Sequence, residues 1–409
     1  MSKEKTNLFY ITHESEEASY FASLQLPLLK VMSDSGINVK VIRLVSKSSK
    51  FHFNIKSSEN RGAIGIHNFS LFKTGKAFSI LSCCFLISKE VLKLDRSGFN
   101  VLVFRSTLPS LIFRILRVIS ISTFDCVMYD SDGLAVDEEL EFRNLGRVDL
   151  KYLLGRYLEV FSVVHSDAVL VRSSETISVL KLRSKVKVEK NFVELNNGRE
   201  IEMFKISNPK ERLQSRFELG LEQNDFIIVY SGSIGQQYLL DEMLDLFLTI
   251  KEKMKGAKLV FLTPPSVHSE IKRAATSRGI DDGDLVIRFV DALKVGEYLN
   301  TADVGLSLRA ASDAMRHVKP LKTREYLLCG VPVVYSSGTG DMGKLPPSLA
   351  RRFDGQAKGE KDDVLSWIVT SVVPNREQIR LEARKYAMEN FDVRSDAKLI
   401  IDAIKSLSS

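Results

Sequence analysis

The chain has 409 residues, too many for one ordinary hydrophobic core, and its 44% hydrophobic and 27% charged residues fit a globular protein of two domains. A formal net charge of +7 points to an anionic partner: nucleotide phosphate, anionic lipid or nucleic acid. The basic residues form no arm and are not interleaved with aromatics, which argues against nucleic acid.

At the N-terminus, Met-Ser-Lys-Glu-Lys-Thr-Asn runs straight into the apolar Leu8-Phe9-Tyr10-Ile11. The long apolar core and small-residue cleavage site of a secretory signal are missing there, so a cytoplasmic protein is expected. Asn7 to Thr12 reads as a strand, Leu24 to Ser35 as a helix and Val39 to Leu44 as a strand. Between Phe69 and Arg117 an apolar helical pattern carries Lys73, Lys76, Lys89, Lys93, Arg96, Arg105, Arg114 and Arg117. It fits basic amphipathic helices lying on an anionic membrane, and equally core-facing helices with solvated cations. The longest apolar run, Ala77 to Ser88, is about 12 residues, short of the roughly 20 that span a bilayer.

Val101 to Arg105 then reads as a strand, Leu108 to Val118 as a helix, Cys126 to Asp130 as a strand, Leu150 to Ser166 as a helix and Ala168 to Arg172 as a strand, with a further short run at Lys187 to Glu189. This alternation is the βαβ rhythm of a parallel sheet. Leu195-Asn-Asn-Gly-Arg199 has turn chemistry and Ser207-Asn-Pro-Lys-Glu-Arg is a helix entry, placing a domain connection within residues 190–206. A second series follows: strands at Phe226 to Ser231, Leu259 to Thr263, Val286 to Phe289 and Val304 to Leu308, and helices at Asp241 to Lys255 and Val267 to Arg278. Arg376 to Asn390 and Asp396 to Leu407 are helical by period. The expected domains are residues 1–195, residues 196–385 and a terminal helix, 386–409, packing back on the first. Cys83, Cys84, Cys126 and Cys329 are few, irregularly spaced and set in apolar surroundings, as reduced core thiols are, and six histidines without paired cysteine spacing predict no structural metal.

The chemistry concentrates in the second half. Tyr230-Ser-Gly-Ser-Ile-Gly235 follows a buried strand, and its small residues let backbone N–H groups approach an anion; Gly232 and Gly235 do not meet the three-glycine dinucleotide fingerprint. Thr263-Pro264-Pro265 closes the next strand at the edge where open α/β sheets bind ligands, as a wall for a flat base or a rigid turn. Arg309 ends Ala302-Asp-Val-Gly-Leu-Ser-Leu-Arg309 at the same edge, to hold phosphate or cap a loop. In His317-Val-Lys-Pro-Leu-Lys-Thr-Arg-Glu-Tyr-Leu-Leu-Cys-Gly-Val-Pro-Val-Val-Tyr335, Pro320 suits the first helical turn, Gly330 the stop, and Val331 to Tyr335 a buried strand. Lys319, Lys322 and Glu325 are spaced to share one face, with two lysines at the positive end of the dipole. That arrangement asks for an anion, with Glu325 placed to accept hydrogen bonds from the ligand's hydroxyls.

Taken in order, Tyr230-Ser-Gly-Ser-Ile-Gly235, Ala302 to Arg309 and Lys319-Pro-Leu-Lys-Thr-Arg-Glu-Tyr-Leu-Leu-Cys-Gly-Val-Pro-Val-Val334 resemble the donor domain of retaining GT-B glycosyltransferases of the "glycosyl transferases group 1" type, nearest the bacterial surface-polysaccharide branch. In the first half, Tyr129-Asp-Ser-Asp-Gly-Leu134 with Asp137-Glu138, Val163 to Ser173 and Lys190-Asn191 are similar to that branch's acceptor-domain landmarks. The resemblance implies an α/β fold of two Rossmann-like parallel-sheet domains facing a central cleft. It implies a UDP- or GDP-sugar donor, no cofactor, and transfer with retention to a glycan or lipid-linked acceptor in cell-surface polysaccharide synthesis, at the cytoplasmic or peripheral membrane face. Carried over, Glu325 binds the ribose, Lys322 the diphosphate, and Gly232 and Ser233 face the phosphates; Arg309 and Pro264 join them as donor-site candidates from their place at the same strand edge. On the acceptor side Arg105, Asp130 and Glu138 fall at or just after predicted strand ends and are the catalytic candidates; the leaving phosphate takes the acceptor proton, so no protein nucleophile and no metal is expected. His317 stands eight residues before Glu325, where many relatives have a sugar-contacting Glu, and Asp132 stands where relatives of the nearer branch often have Arg. Two alternatives keep the fold: another GT-B enzyme such as a nucleotide-sugar epimerase, and a non-catalytic assembly subunit, against which the intact Gly232, Lys322 and Glu325 argue.

Overall fold

The structure is a computed structural model that describes residues 5–15, 20–47, 56–61, 64–72, 76–93, 97–118, 124–142, 146–186, 191–355 and 357–408. Lys73, Arg96 and the expected run Lys187 to Glu189 with Lys190 lie outside them. Two compact units emerge, residues 1–196 with 393–409, and residues 197–392.

The first unit alternates β1 (Thr6–Ser15), α1 (Leu26–Asp34), β2 (Asn38–Lys47), β3 (Lys56–Arg61), β4 (Ile64–Phe72), α2 (Lys76–Leu92), β5 (Phe99–Arg105), α3 (Thr107–Val118), β6 (Cys126–Asp130), α4 (Ala135–Phe142), α5 (Leu150–His165), β7 (Ala168–Val171), α6 (Ser174–Ser184) and β8 (Asn191–Glu194). Its eight strands lie in the order β3-β4-β2-β1-β5-β6-β7-β8, all parallel except the β3–β4 pair. Every residue of β5 is buried, as expected of a parallel strand covered on both faces. β1 shows the period-two division: Leu8 and Tyr10 join the core under α1, while Phe9 and Ile11 join the core under α2, α3, α5 and α6. Each such fully buried side chain contributes about 1.5–3 kcal/mol relative to exposure. The apolar pattern that the sequence suggested as helical from Phe69 starts instead in β4: Phe69 and Leu71 face the core, in the strand's alternation. Cys83 and Cys84 sit in that core, where burial pushes their thiols up to about 12 and about 11.

The second unit runs α7 (Pro209–Glu218), β9 (Phe226–Ser231), α8 (Leu240–Lys253), β10 (Ala257–Leu262), α9 (His268–Thr276), β11 (Leu285–Arg288), α10 (Val295–Leu299), β12 (Val304–Ser307), α11 (Leu321–Leu328), β13 (Val333–Tyr335), β14 (Ala350–Arg352), α12 (Glu360–Trp367) and α13 (Arg376–Asn390). The Ser-Asn-Pro helix entry is a capping box, with Asn208 and Glu211 satisfying each other's backbone N–H. All six strands are parallel, in the order β11-β10-β9-β12-β13-β14. Asp303, just before β12, is fully buried and takes Arg212 at 2.8 Å, Arg216 at 3.2 Å, Arg376 at 3.2 Å and the Ile227 N–H at 2.8 Å. The acid of the Ala302-Asp-Val-Gly motif is therefore a staple of α7 and α13 to the sheet. At Val393 the chain re-enters the first unit as α14 (Val393–Ser408), whose Ala397, Ile400, Ala403 and Ile404 stripe packs by α1. The Asp396 carboxylate accepts from the Asn196 N–H at 2.8 Å.

The strand orders locate the edges that can bind. In the second sheet the chain leaves β9 toward β10 and β11, then returns on the other side as β12, so the switch point lies between the carboxyl ends of β9 and β12. In the first sheet the same reversal separates β1 from β5.

Candidate functional site

At the β9–β12 switch point the two strands pair only through Val304 with Ile228 and Gly305 with Val229, then part. Tyr326 of α11 fills the opening: its hydroxyl accepts from the Ser231 N–H at 2.8 Å and donates to the Leu306 carbonyl at 3.3 Å. A Cβ on Gly305 would lie 2.5 Å from the Tyr326 ring, so only glycine at that point of β12 lets the ring enter. Beyond Ser231, Gly232 takes a φ of +117°, and a Cβ there would come within 3.5 Å of the Lys322 Nζ. Ser233 is exposed and its carbonyl accepts from the Tyr230 hydroxyl at 2.6 Å.

The α11 segment departs in one respect from its sequence reading. Pro320 is the N-cap, with ψ 122°, and not a first-turn residue, so Lys319 lies outside the helix and does not share the face of Lys322 and Glu325. Pro320's fixed φ with an extended ψ starts the helix one residue later than a first-turn proline would. Lys322 follows at the second helical position, buried, with no hydrogen-bond partner for its Nζ. Instead the ammonium stands 3.8 Å from the Tyr230 ring centroid and 4.6 Å from that of Tyr238. Burial first, then the neighbouring Arg309, hold its pKa well below the ordinary value, and Glu325 opposes them. Arg309 also lies over Tyr238, its guanidinium 5.0 Å from the ring centroid and its Nε without a partner. Its backbone N–H is fixed by the Ser336 hydroxyl at 2.7 Å. Two cations thus converge beside a glycine-bearing turn and a helix N-terminus, an arrangement with the chemistry to receive an anion.

Glu325 sits one turn further along α11 and is held by Arg199, Nη2 to Oε1 at 2.7 Å. Arg199 is almost fully buried, pairs by an isolated bridge with Asp392, and its N–H donates to the Phe391 carbonyl at 2.8 Å. Next to it Asn197, at φ +54°, donates from Nδ2 to the Lys319 carbonyl at 3.1 Å. The segment read as a bare turn, Leu195 to Arg199, therefore grips both ends of the Lys319–Glu325 stretch.

In the first unit, Arg105 at the end of β5 reaches Asp130 at the end of β6 at 2.9 Å and Asp132 at 2.5 Å. Arg172, just after β7, reaches the same Asp130 at 2.8 Å. Burial raises the Asp130 pKa, but Arg172 and Arg105 outweigh it and hold the carboxyl below its ordinary value. Beside this cluster the Tyr10 hydroxyl is buried without a partner, its pKa raised by burial and then by Asp130. Glu138 lies in the first turn of α4, half-buried; its neighbour Asp137 forms a bidentate pair with Arg183 at 2.7 and 3.0 Å.

Of the residues expected from sequence, Gly232, Arg309 and Lys322 come together, with Glu325 acting on Lys322 from the same helix. Pro264 follows the adjacent strand β10 by two residues, half-buried, as the cap of a 3-10 turn. Arg105 and Asp130 pair in the other unit. Buried His317 closes a 3-10 turn, Ala314–His317. Sequence reasoning missed Arg199, whose only signal was a cation in a turn, and Arg172, a cation at a strand end like Arg105. It quoted Tyr230 and left Tyr238 aside, without seeing that the two rings form the seat of Lys322. Among the described residues, no group of three or more His, Cys, Asp or Glu could hold a metal ion.

No protein-family model matches the sequence, and no curated protein matches it either. Solved structures do. Sucrose-phosphate synthase from Thermosynechococcus elongatus superposes with a TM-score of 0.72 at 13% identity, covering 98% of this chain and 99% of that one. An E. coli trehalose-6-phosphate structure bound with UDP-2-fluoro glucose gives 0.69 at 12% identity over 98% and 99%. Anabaena HepE in complex with UDP and glucose gives 0.69 at 12% over 98% and 100%. The chain has the fold of these proteins, the GT-B fold of two Rossmann-like domains.

Proposed function

We propose that the protein is a glycosyltransferase that moves a hexose from a nucleotide-diphosphate donor to a glycan or lipid-linked acceptor, with retention, in the synthesis of a cell-surface polysaccharide. One observation carries the reading: the buried Lys322 ammonium, without a hydrogen-bond partner, at the switch point beside Gly232 and Arg309. A diphosphate supplies the missing counter-charge. The whole-length fold match to proteins solved with UDP, glucose or a UDP-sugar analogue supports a UDP-sugar as the donor.

In this reading Lys322 and Arg309 stabilise the charge that grows on the departing diphosphate, which is where electrostatic preorganisation accelerates group transfer most. The backbone at Gly232 and Ser233 faces the phosphates, Pro264 flanks the base, and Glu325, fixed by Arg199, accepts from the ribose hydroxyls. The departing phosphate oxygen takes the acceptor hydroxyl's proton, so proton and leaving group balance without a protein nucleophile. Arg105, Asp130 and Glu138 serve the acceptor. Asp130 is clamped between two arginines that occupy its oxygens and lower its pKa, so it is too weak a proton acceptor to be the base and anchors Arg105 instead. The site of action is the cytoplasm, at the inner face of a membrane.

Incubation with labelled UDP- and GDP-hexoses and lipid or glycan acceptors tests this. Label should pass to an acceptor, and Lys322→Ala should lower the rate by about a hundredfold or more, the scale of one lost transition-state donor. A protein that consumes no nucleotide sugar, or a variant as active as wild type, contradicts the assignment.

A further inference from the structure

Two helices of the first unit are apolar on their outer face as well as on the face they bury, which on α2 carries Cys83, Cys84, Ile87 and Val91 and on α5 Leu158, Phe161 and Val163. On α2 the exposed side chains are Phe78, Leu81, Phe85, Lys89 and Leu92, with the four apolar ones 60–63% exposed. Its buried side includes Ser79 and Glu90. On α5 the outward residues Leu150, Leu153, Leu154 and Tyr157 are 81%, 52%, 43% and 50% exposed, while Glu159 and Ser162 face inward. A surface helix normally keeps its outer face charged or polar. Between the two lies α3, which contacts both and carries Arg114 and exposed Arg117; the Arg114 Nε donates to the Tyr157 hydroxyl at 3.2 Å.

We propose that this α2–α3–α5 face docks on an anionic lipid bilayer, with the α2 side chains and the first turns of α5 entering the headgroup–acyl boundary. The charge pattern selects that occupant. Lys89 lies over the Phe85 ring at 4.5 Å, so its aliphatic stem covers the apolar stripe while the ammonium remains at its rim. Lys93 and Arg117 extend the cationic border, and the nearest acid of α2, Glu90, is buried and paired with Lys40 and with Lys93 at 3.2 Å. The acidic α4 borders α5, where Glu139 is paired with Lys151 at 2.7 Å. Apolar side chains bordered by cations along α2 and α3 match a lipid interface with negative headgroups. A second copy of the chain would set the same cations against one another. No described helix is long and apolar enough to cross a membrane, so contact here is peripheral.

The inference deepens the membrane-face location proposed above, and its experiment reads lipid and not nucleotide, so the two readings fail separately. The full chain is sedimented with vesicles of phosphatidylcholine alone or with about one-third phosphatidylglycerol. Binding is expected to the anionic vesicles and to weaken with salt. Lys89→Glu with Lys93→Glu should weaken it by about twenty-five-fold or more, taking about fivefold for each basic residue lost. Phe78→Ser, Leu81→Ser and Phe85→Ser together should weaken it by about tenfold or more, since each removes exposed apolar surface that the bilayer would bury. Unchanged circular dichroism and thermal unfolding in both variants show that they remain folded. Equal binding to neutral vesicles, variants that bind like wild type, or a lipid-free dimer dissolved by the triple substitution would overturn the proposal.

Discussion

At the scale of single residues, the unmatched Lys322 carries a cost that the proposed diphosphate would remove. Lys322 is a buried cation without a hydrogen-bond partner, so Lys322→Met is expected to stabilise the ligand-free protein by about 1–3 kcal/mol while abolishing diphosphate binding. The pH dependence follows from the direction of the shift. The folded-state pKa lies below the ordinary 10.5, so the unfolded chain binds more protons between the two values and stability rises with pH there. The stability gap to Lys322→Met is thus full below the folded value and narrows toward pH 10.5; urea titrations across that range check it. Arg199 gives a second expectation. Without its 2.7 Å contact Glu325 loses its fixed geometry, and Arg199→Ala should raise the UDP dissociation constant about tenfold, equivalent to about 1.4 kcal/mol, measured by calorimetry. Lysine at this position cannot restore the guanidinium's fork geometry. Lys322 and Glu325 were legible in sequence because helix spacing puts them on one face. Arg199 was not, since its partner lies 126 positions away and only the folded chain brings them together.

At the scale of elements, the switch point depends on a tyrosine. β9 and β12 part after two paired residues, and the Tyr326 hydroxyl satisfies the backbone groups left on either side. Tyr326→Phe should leave the Ser231 N–H and Leu306 carbonyl unpaired, costing about 1–3 kcal/mol in denaturant titration and weakening UDP binding through the displaced Gly232 turn. In the first sheet, Asp130 ties the ends of β5, β6 and β7 through Arg105 and Arg172. Because its folded pKa is lowered, that stabilisation is complete above the ordinary carboxylate value and is lost as pH falls through the folded one. Asp130→Asn should therefore cost about 3–5 kcal/mol at neutral pH, a gap that closes in acid. The fully buried strands β5 and β9 were plain in sequence as continuous apolar runs. The β3–β4 pair was not: Lys-Ser-Ser-Glu-Asn-Arg has neither alternation nor apolar content, and its pairing is set by the sheet edge it covers. Nor could period alone show that α2 turns its larger apolar residues outward, because both of its faces read as apolar.

At the scale of the whole molecule, two parallel sheets on one chain were expected from the repeated βαβ rhythm, and the fold match over 98% of the chain at 13% identity agrees with it. Identity that low fixes architecture and leaves the chemistry to the site. The central claim is that the β9–β12 edge, with Lys322 as its unmatched cation, binds a nucleoside diphosphate. Calorimetric titration of UDP and GDP into wild type and Lys322→Ala tests this most directly. The account predicts salt-sensitive binding of at least one of them, weakened about a hundredfold or more by the substitution, about 2.7 kcal/mol, with the free nucleoside binding both proteins alike. Neither diphosphate binding to wild type, or equal affinity in the variant, would contradict it.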